Sequence, residues 1–383
     1  MTRRRDLIGG TLAQEALGLW IGGLTVLGAL LVTRTPSPPA LAILLGGLGG
    51  VIALGSLVHL SRLAAIRLKS PAPGRRVDIG GYKVHVVAEG DARGAVPIVI
   101  FGGGHSAGLA MHHLHSALRQ ETRSILIDRP GTGWSDTGPF PRTTAVEAEE
   151  MVRALDAAGE AGPFVIVGYS FGGLLAANIA RRFPERVARL VLLDPTPLET
   201  LVFGPRLKAT SDMRADELKS GVAKLVGLDI DFGRRRAAKN PSHVESMRAF
   251  EAVLGLQVAT QLRRGSGKAG AHIANWSILQ ELDGVHIGRC GWQTVVYDGD
   301  LGDLPLWLVA PGTAEEVVDE PEVGSAVAAE QARMIRFYAR TRERYLAASS
   351  NSRRIISPTG STHQFVYEHP EFVIEVLREA IRP

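Results

Sequence analysis

Two long apolar stretches open the chain, and shorter apolar runs that alternate with polar segments follow them. Neither residues 16–32 nor residues 40–60 contain Asp, Glu, Lys or Arg. Both stretches approach the ~20 residues that a helix needs to cross ~30 Å of hydrocarbon. The connector, residues 33–39, is short and proline-rich, so the pattern predicts a hairpin of two transmembrane helices within residues 1–69.

Basic residues flank this predicted hairpin at both ends. Residues 3–5 are arginines, and Arg62, Arg67, Lys69, Arg75 and Arg76 follow the second stretch, whereas the connector carries only Arg34. By the positive-inside tendency, both ends face the cytoplasm. We expect an integral protein of a bacterial inner membrane, with the rest of the chain in the cytoplasm. A cleaved signal peptide and a pair of buried soluble helices are the alternatives, and the second stretch argues against the first of these.

After a Pro/Gly linker at residues 70–74, the pattern changes to short strands that alternate with amphipathic helices. Predicted strands occupy residues 76–79, 82–88, 97–101, 124–128, 163–167, 190–194, 304–310 and 353–357. Helices are predicted at residues 144–158, 174–183 and 370–381. Such alternation indicates an α/β fold for residues 75–383, with a mostly parallel eight-stranded sheet flanked by helices. Active sites in such sheets lie at the carboxyl ends of the strands.

Composition narrows the class of protein. The apolar fraction is 45% and the charged fraction 21%, which suits a packed core. The net charge of +4 is concentrated beside the apolar stretches, so it indicates a membrane surface and no nucleic acid. Cys290 is the single cysteine, which excludes an intrachain disulfide.

His112, His113 and His115 suggest a metal, but no carboxylate or cysteine completes a ligand set, so we expect no metal and no cofactor.

The most informative motif is Gly168-Tyr169-Ser170-Phe171-Gly172-Gly173, between a predicted strand and a predicted helix. A serine on such a sharp turn is exposed in a strained conformation, and the glycines let the backbone turn without clashes. Ser170 is therefore the candidate nucleophile. A purely structural glycine turn is the alternative interpretation of the motif alone.

Residues 75–383 resemble the α/β-hydrolase fold family, and in particular its serine esterases. Four segments in order carry the resemblance: Phe101-Gly102-Gly103-Gly104-His105, the run from Asp128 to Asp136 (DRPGTGWSD), the motif around Ser170, and Gly360-Ser361-Thr362-His363. The resemblance implies His363 as the base that activates Ser170. It also implies the amides of Phe171 and Gly103 as the oxyanion hole, with Gly104 as the alternative to Gly103.

The acid partner of His363 departs from the commonest family pattern. Many relatives place it after the seventh strand, but the residues there include Glu315 and Glu316 and no aspartate. Asp194 ends the sixth strand, and some family members take the acid from that position. We favour Asp194 and keep Glu315 or Glu316 as alternatives. His105, Trp134 and Tyr169 are candidates for the substrate-binding surface.

The connection between the sixth and seventh predicted strands, about residues 198–303, is too long for a simple loop and predicts a helical cap. We therefore expect a membrane-anchored serine hydrolase that cleaves a carboxylic ester, with a lipid or another apolar acyl compound as substrate. The alternatives are an acyltransferase or C–C hydrolase with the same serine apparatus, and a non-catalytic ligand-binding or scaffold protein on this fold. The sequence leaves the oligomeric state open.

Overall fold

A computed structural model describes residues 15–69, 71–104, 106–140, 142–196, 208–239, 241–265, 268–282, 298–315 and 326–383. Its centre is an eight-stranded sheet in the order β1-β2-β4-β3-β5-β6-β7-β8. The strands are β1 Arg75–Asp78, β2 Lys83–Glu89, β3 Ile98–Phe101, β4 Ser124–Ile127, β5 Phe164–Tyr169, β6 Val187–Leu193, β7 Leu306–Ala310 and β8 Ser352–Ile356. Only the pairs β1–β2 and β2–β4 are antiparallel. The predicted mostly parallel α/β sheet is confirmed.

The central strands are buried on both faces because helices cover both sides of the sheet. Ile98, Val99 and Ile100 of β3 are fully buried, and successive side chains of this strand join two different apolar cores. The helices of the sheet domain are α3 His112–Leu118, α4 Thr144–Ala157, α5 Phe171–Arg182, α10 Ala326–Ala347, α11 Phe365–Glu368 and α12 Pro370–Ala380. This arrangement brings the carboxyl ends of the parallel strands to one edge of the sheet.

Four helices between β6 and β7 form the cap. They are α6 Lys208–Leu225, α7 Phe232–Ala237, α8 Pro241–Gly265 and α9 Ala269–Leu282. Helix α8 bends at Gly255, where φ is 75°. Its Phe250 ring meets the Tyr367 ring edge-on at 4.9 Å, so the cap packs directly against α11. The predicted cap also includes residues 198–207 and 283–297, which lie outside the described residues.

The N-terminal stretches form two packed helices, α1 Leu17–Val32 and α2 Pro39–Lys69. A Cβ placed on Gly22 would come within 2.7 Å of the Gly49 carbonyl oxygen, so the two backbones are in close contact there. Within the described residues, one helix is long and apolar enough to cross a bilayer: Pro39–Ile66, with mean hydropathy 2.3. Helix α1 is apolar but shorter than such a span. The structure therefore supports the second predicted span more strongly than the first.

Candidate active site

Ser170 lies at the turn between β5 and α5, with φ 53° and ψ −119°. A positive φ costs a non-glycine residue about 1–3 kcal/mol, and surrounding contacts must hold the residue in this conformation. Those contacts include hydrogen bonds from the Ser170 amide to the Leu193 carbonyl at 3.0 Å and from the Gly173 amide to the Ser170 carbonyl at 2.9 Å. A Cβ on Gly172 would lie 2.5 Å from the Phe101 carbonyl oxygen, so this turn requires glycine.

The structure brings Ser170, His363 and Asp194 together in one line of hydrogen bonds. His363 Nε2 lies 3.1 Å from Ser170 Oγ, and His363 Nδ1 lies 2.6 Å from Asp194 Oδ2. His363 is carried by the loop between β8 and α11, whereas Asp194 directly follows β6. Three separate segments meet here because their strands end at the same edge of the sheet. This arrangement can move a proton from the hydroxyl to the imidazole beside a buried carboxylate.

The structure describes the two alternative acids less fully than Asp194. Glu315 ends a short 3₁₀ turn after β7, at Gly312–Glu315, and Glu316 is outside the described residues. Asp194 itself has a positive φ of 42°, and its amide donates to the Val309 carbonyl at 2.9 Å. The neighbouring strand β7 thus holds the backbone of Asp194 in the conformation that points its carboxylate toward His363.

Arg342 is a site residue that the sequence reasoning missed. Its Nε and Nη2 donate to Asp194 Oδ1 at 3.0 and 2.9 Å, and both side chains are buried. Burial would raise the pKa of the Asp194 carboxyl, but the bonds and charges of His363 and Arg342 outweigh it and hold the pKa below its usual value. Arg342 lies on α10, 148 residues from Asp194, and no local motif marks this arginine.

Replacing Arg342 by glutamine should move the acid limb of the pH–rate profile upward. The Arg342 guanidinium is one of the groups that hold the pKa of the Asp194 carboxyl below its usual value, so its loss raises that pKa. Asp194 then loses its negative charge at a higher pH, and activity falls earlier on acidification. The measurement is kcat/KM against pH for a soluble ester, with Arg340→Gln on the exposed side of the same helix as the control. An unchanged limb in an active Arg342→Gln variant would contradict this role.

The candidate oxyanion loop packs directly on the nucleophile. A Cβ on Gly103 would lie 2.9 Å from the Ser170 Cβ, so only glycine fits there. Ser106 donates to the Gly103 carbonyl from both its amide and its hydroxyl. Phe171 is the first residue of α5, where a backbone N–H has no acceptor within the helix. Gly103 and Phe171 therefore both lie next to Ser170, and their amides remain the candidates for an oxyanion hole.

Arg129 ties this loop to the turn that carries the nucleophile. Its guanidinium donates to the Gly104 carbonyl, lies 4.4 Å from the centre of the Phe171 ring and bonds Glu147 at 2.9 Å. Both charged groups are buried. The interactions fix the alternative oxyanion residue Gly104 and the residue after the nucleophile relative to each other.

Of the residues predicted for the substrate surface, Tyr169 lies against the ring of His363. Its ring stacks on His363 at 5.1 Å, and its hydroxyl donates to the His363 carbonyl at 3.0 Å. Burial raises the pKa of the Tyr169 hydroxyl well above its usual value, so this donor keeps its proton. Tyr169 is only 4% exposed. It holds the loop between β8 and α11, which carries His363 and which we call the histidine loop, against the end of β5.

Trp134 is also largely buried, and its ring lies 5.2 Å from the His85 ring. The Trp134 amide donates to Asp128 Oδ2 at 2.8 Å, and Asp128 also accepts from the Gly108 amide and faces His85 Nδ1. Asp128 therefore fixes the loop that carries Trp134. His105 lies outside the described residues.

Helix α3 carries His112, His113 and His115, and each of them contacts another group of the protein. His115 Nδ1 lies 3.0 Å from Ser124 Oγ, and His113 Nε2 lies 3.0 Å from the Val366 carbonyl oxygen. Burial lowers the pKa of both imidazoles to about 4. His112 Nε2 meets Ser116 Oγ at 3.1 Å. The histidines thus act as neutral packing and hydrogen-bonding groups beside the sheet.

Comparison with known proteins agrees with this geometry. A family model described as the alpha/beta hydrolase fold matches residues 96–227, and an esterase from Thermogutta terrifontis superposes with a TM-score of 0.55 at 17% identity, over 81% of this chain and 98% of that one. The chain has the α/β-hydrolase fold. The family model extends from just before β3 to the turn after α6.

Two curated relatives are similar over shorter segments. The cis-3-alkyl-4-alkyloxetan-2-one decarboxylase of Shewanella oneidensis is 27% identical over 161 residues, which cover 39% of this chain and 50% of that protein. The 2-hydroxymuconate semialdehyde hydrolase of Pseudomonas putida is 35% identical over 130 residues, 33% of this chain and 44% of that protein. The chain thus spans half or less of the length of these relatives. Fold and relatives together support a hydrolase enzyme.

Proposed function

We propose that this protein is a membrane-anchored serine hydrolase that cleaves a carboxylic ester of a lipid or another apolar acyl compound. The observation that carries the proposal is the line of hydrogen bonds from Ser170 through His363 to Asp194, on a strained turn beside a glycine loop. A non-catalytic binding protein has no need of a serine held at positive φ within reach of a base.

In this mechanism, Ser170 Oγ attacks the ester carbonyl carbon while His363 Nε2 takes the hydroxyl proton. The negative charge that develops on the carbonyl oxygen is stabilised by the amides of Phe171 and of Gly103 or Gly104. The C–O bond to the alcohol breaks, and His363 returns the proton to the leaving oxygen. A water molecule then attacks the acyl-enzyme by the reverse roles and releases the carboxylic acid and free Ser170.

Asp194 keeps its negative charge throughout and stabilises the His363 imidazolium that forms in each step. Its depressed pKa, caused by His363 and Arg342 against the effect of burial, favours that charged form. Arg342 and Tyr169 act through other groups: the first holds the carboxylate and the second holds the histidine loop. We assign them as positioning residues.

The membrane anchor is proposed from α1 and α2. Helix α2 contains the span Pro39–Ile66, and large apolar side chains on both helices face outward, including Trp20 at 67% and Ile43 at 73% exposed. Side chains of this kind are stable in lipid and unfavourable in water. By the positive-inside tendency, the flanking arginines favour an orientation with both helix ends, and the catalytic domain, on the cytoplasmic side of the membrane.

The test of the catalytic proposal is covalent labelling of the full-length protein with a fluorophosphonate. We expect the wild type to be labelled and Ser170→Ala to remain unlabelled, since only an activated serine attacks phosphorus rapidly. Ser350→Ala, which removes an exposed hydroxyl before β8 and away from the site, is the control that should keep its label. Folded wild-type protein that takes up no label would favour the binding-protein alternative. A series of p-nitrophenyl esters of graded length and a monoacylglycerol then define the acyl group.

A further inference from the structure

Helix α6 of the cap carries apolar side chains that remain exposed. Outside the hairpin helices, the large apolar side chains exposed in the described part of the chain are Phe140, Met213, Leu218, Val222 and Leu228. Leu218 and Val222 are one helical turn apart and share a face, and Leu228 follows in the turn after the helix. Lys219 is exposed beside them. We call Leu218, Val222 and Leu228 the apolar face of α6.

The end of α6 is in backbone contact with the hairpin. A Cβ on Gly18 of α1 would overlap the Leu225 carbonyl, and a Cβ on Gly55 of α2 would overlap the Val226 carbonyl. The Arg62 guanidinium also donates to the Gly227 carbonyl at 3.3 Å. The apolar face is therefore continuous with the helices that we propose to lie in lipid.

A second attachment fixes the orientation of the cap. Glu15 is fully buried at the start of α9, where its carboxylate accepts from the Ala269 and Gly270 amides at 2.8 and 2.6 Å. His59 Nε2 of α2 lies 2.6 Å from the same carboxylate. A carboxylate at a helix N-terminus is favourable because the first amides lack acceptors there. Two cap helices thus bind the hairpin at separate points, so the cap cannot swing away while both contacts hold.

The height of this contact along the hairpin places it at the edge of the hydrocarbon. At about 1.5 Å per residue, α2 rises about 24 Å from Pro39 to Gly55. The hydrocarbon core is about 30 Å thick. If the connector between α1 and α2 reaches the far surface, Gly55 and the Val226–Gly227 backbone against it lie near the cytoplasmic boundary of that core.

Basic groups follow immediately above this boundary. Arg62 and Lys69 line a cleft of about 380 Å³ at the end of α2, together with Asp229, Leu63 and Ile66. Arg62 lies about two turns beyond Gly55, which corresponds to the depth of lipid headgroups, and Lys69 lies about four turns beyond Gly55 on the aqueous side. Cations at this depth are attracted to anionic headgroups.

We propose that α6 lies in the membrane interface, with its apolar face embedded at the boundary of an anionic phospholipid bilayer. This inference rests on the proposed membrane hairpin and adds a second contact of the protein with lipid. The bound cap, whose helix α8 packs on Tyr367 beside the histidine loop, is then held at the bilayer surface.

The test measures the depth of single fluorophores in the full-length protein, reconstituted in vesicles of phosphatidylcholine and phosphatidylglycerol. In a Cys290→Ser background, bimane is attached to Val222→Cys, to Val51→Cys in the hairpin and to Glu185→Cys on the exposed far side of the sheet domain. The quenchers are lipids with a nitroxide near the headgroup or deep in the acyl chain, and aqueous iodide. Circular dichroism checks that each variant is folded.

We expect the Val222 label to lose roughly half of its emission to the shallow nitroxide and less to the deep one, as at an interfacial depth of about 5–10 Å. The Val51 label should respond most to the deep nitroxide, and the Glu185 label only to iodide. If Val51 is quenched by lipid but Val222 only by iodide, the hairpin spans the membrane and the interfacial helix is wrong. Protection of Val222 from every quencher would mean that another protein surface covers it, which also overturns the proposal. Absence of lipid quenching at Val51 would refute the membrane anchor itself.

Discussion

Replacing His363 by alanine should lower kcat for ester hydrolysis by roughly a millionfold. His363 Nε2 is the only base for which the described residues show a contact with Ser170 Oγ, at 3.1 Å. Without His363, the Ser170 hydroxyl keeps its proton and remains a weak nucleophile. Removal of the base therefore lowers kcat about as much as removal of the serine does. The measurement is single-turnover acylation by a p-nitrophenyl ester, with circular dichroism as a check on folding.

His369 offers a matched control for this experiment. It lies six residues further along the same segment and precedes α12, where its amide donates to the Phe365 carbonyl. His369→Ala changes the same residue type in the same region but leaves the line from Ser170 to Asp194 intact, so we expect it to keep most of the activity. A His363→Ala variant that acylates within tenfold of the wild type would exclude His363 as the base.

Asp194→Asn should lower kcat by about 10⁴-fold while leaving the fold intact. An asparagine amide at this position can no longer stabilise the imidazolium, and it can hold the imidazole in the wrong tautomer. The amide would also face the Arg342 donors in place of a carboxylate, which removes a buried ion pair. The kcat and KM of Asp194→Asn should therefore separate: kcat falls strongly, whereas KM for a short ester changes little.

Glu315→Gln is the counterpart of this variant, because the resemblance to other hydrolases left Glu315 as an alternative acid. We expect Glu315→Gln to retain wild-type kcat, since the 2.6 Å contact of His363 Nδ1 is made with Asp194. The opposite result, with activity kept in Asp194→Asn and lost in Glu315→Gln, would move the acid to the segment after β7. Loss of activity in Glu316→Gln alone would identify Glu316 as the acid partner of His363.

The alternation of buried strands and amphipathic helices was readable from the sequence because each signal is local. The run Phe164–Tyr169 is apolar on both faces of the strand, and Gly168, Gly172 and Gly173 permit the sharp turn around Ser170. Strand order was not readable in the same way. The exchange of β3 and β4 in the sheet depends on which edges pair after the chain has folded.

The acid partner of His363 could not be chosen from local sequence signals alone. The segment after β7 could be seen to lack an aspartate, but the choice between Asp194 and the two glutamates depends on where strand ends lie in space. The contact of Arg342 with Asp194 was not predicted at all, because Arg342 lies 148 residues from Asp194 and nothing in the sequence distinguishes it from the other arginines of its helix. Tyr169 was assigned to substrate, yet its ring and hydroxyl hold the histidine loop.

The sequence by itself determined the class of fold, the apolar hairpin stretches and the identity of the candidate nucleophile, since hydrophobic period, turn chemistry and apolar length are properties of neighbouring residues. Only the tertiary structure decided which carboxylate meets His363, which arginine holds that carboxylate, and how the cap rests on α1 and α2. These are contacts between segments far apart in the chain. They form because the sheet gathers its strand ends at one edge and because glycines let the α6 backbone approach the hairpin.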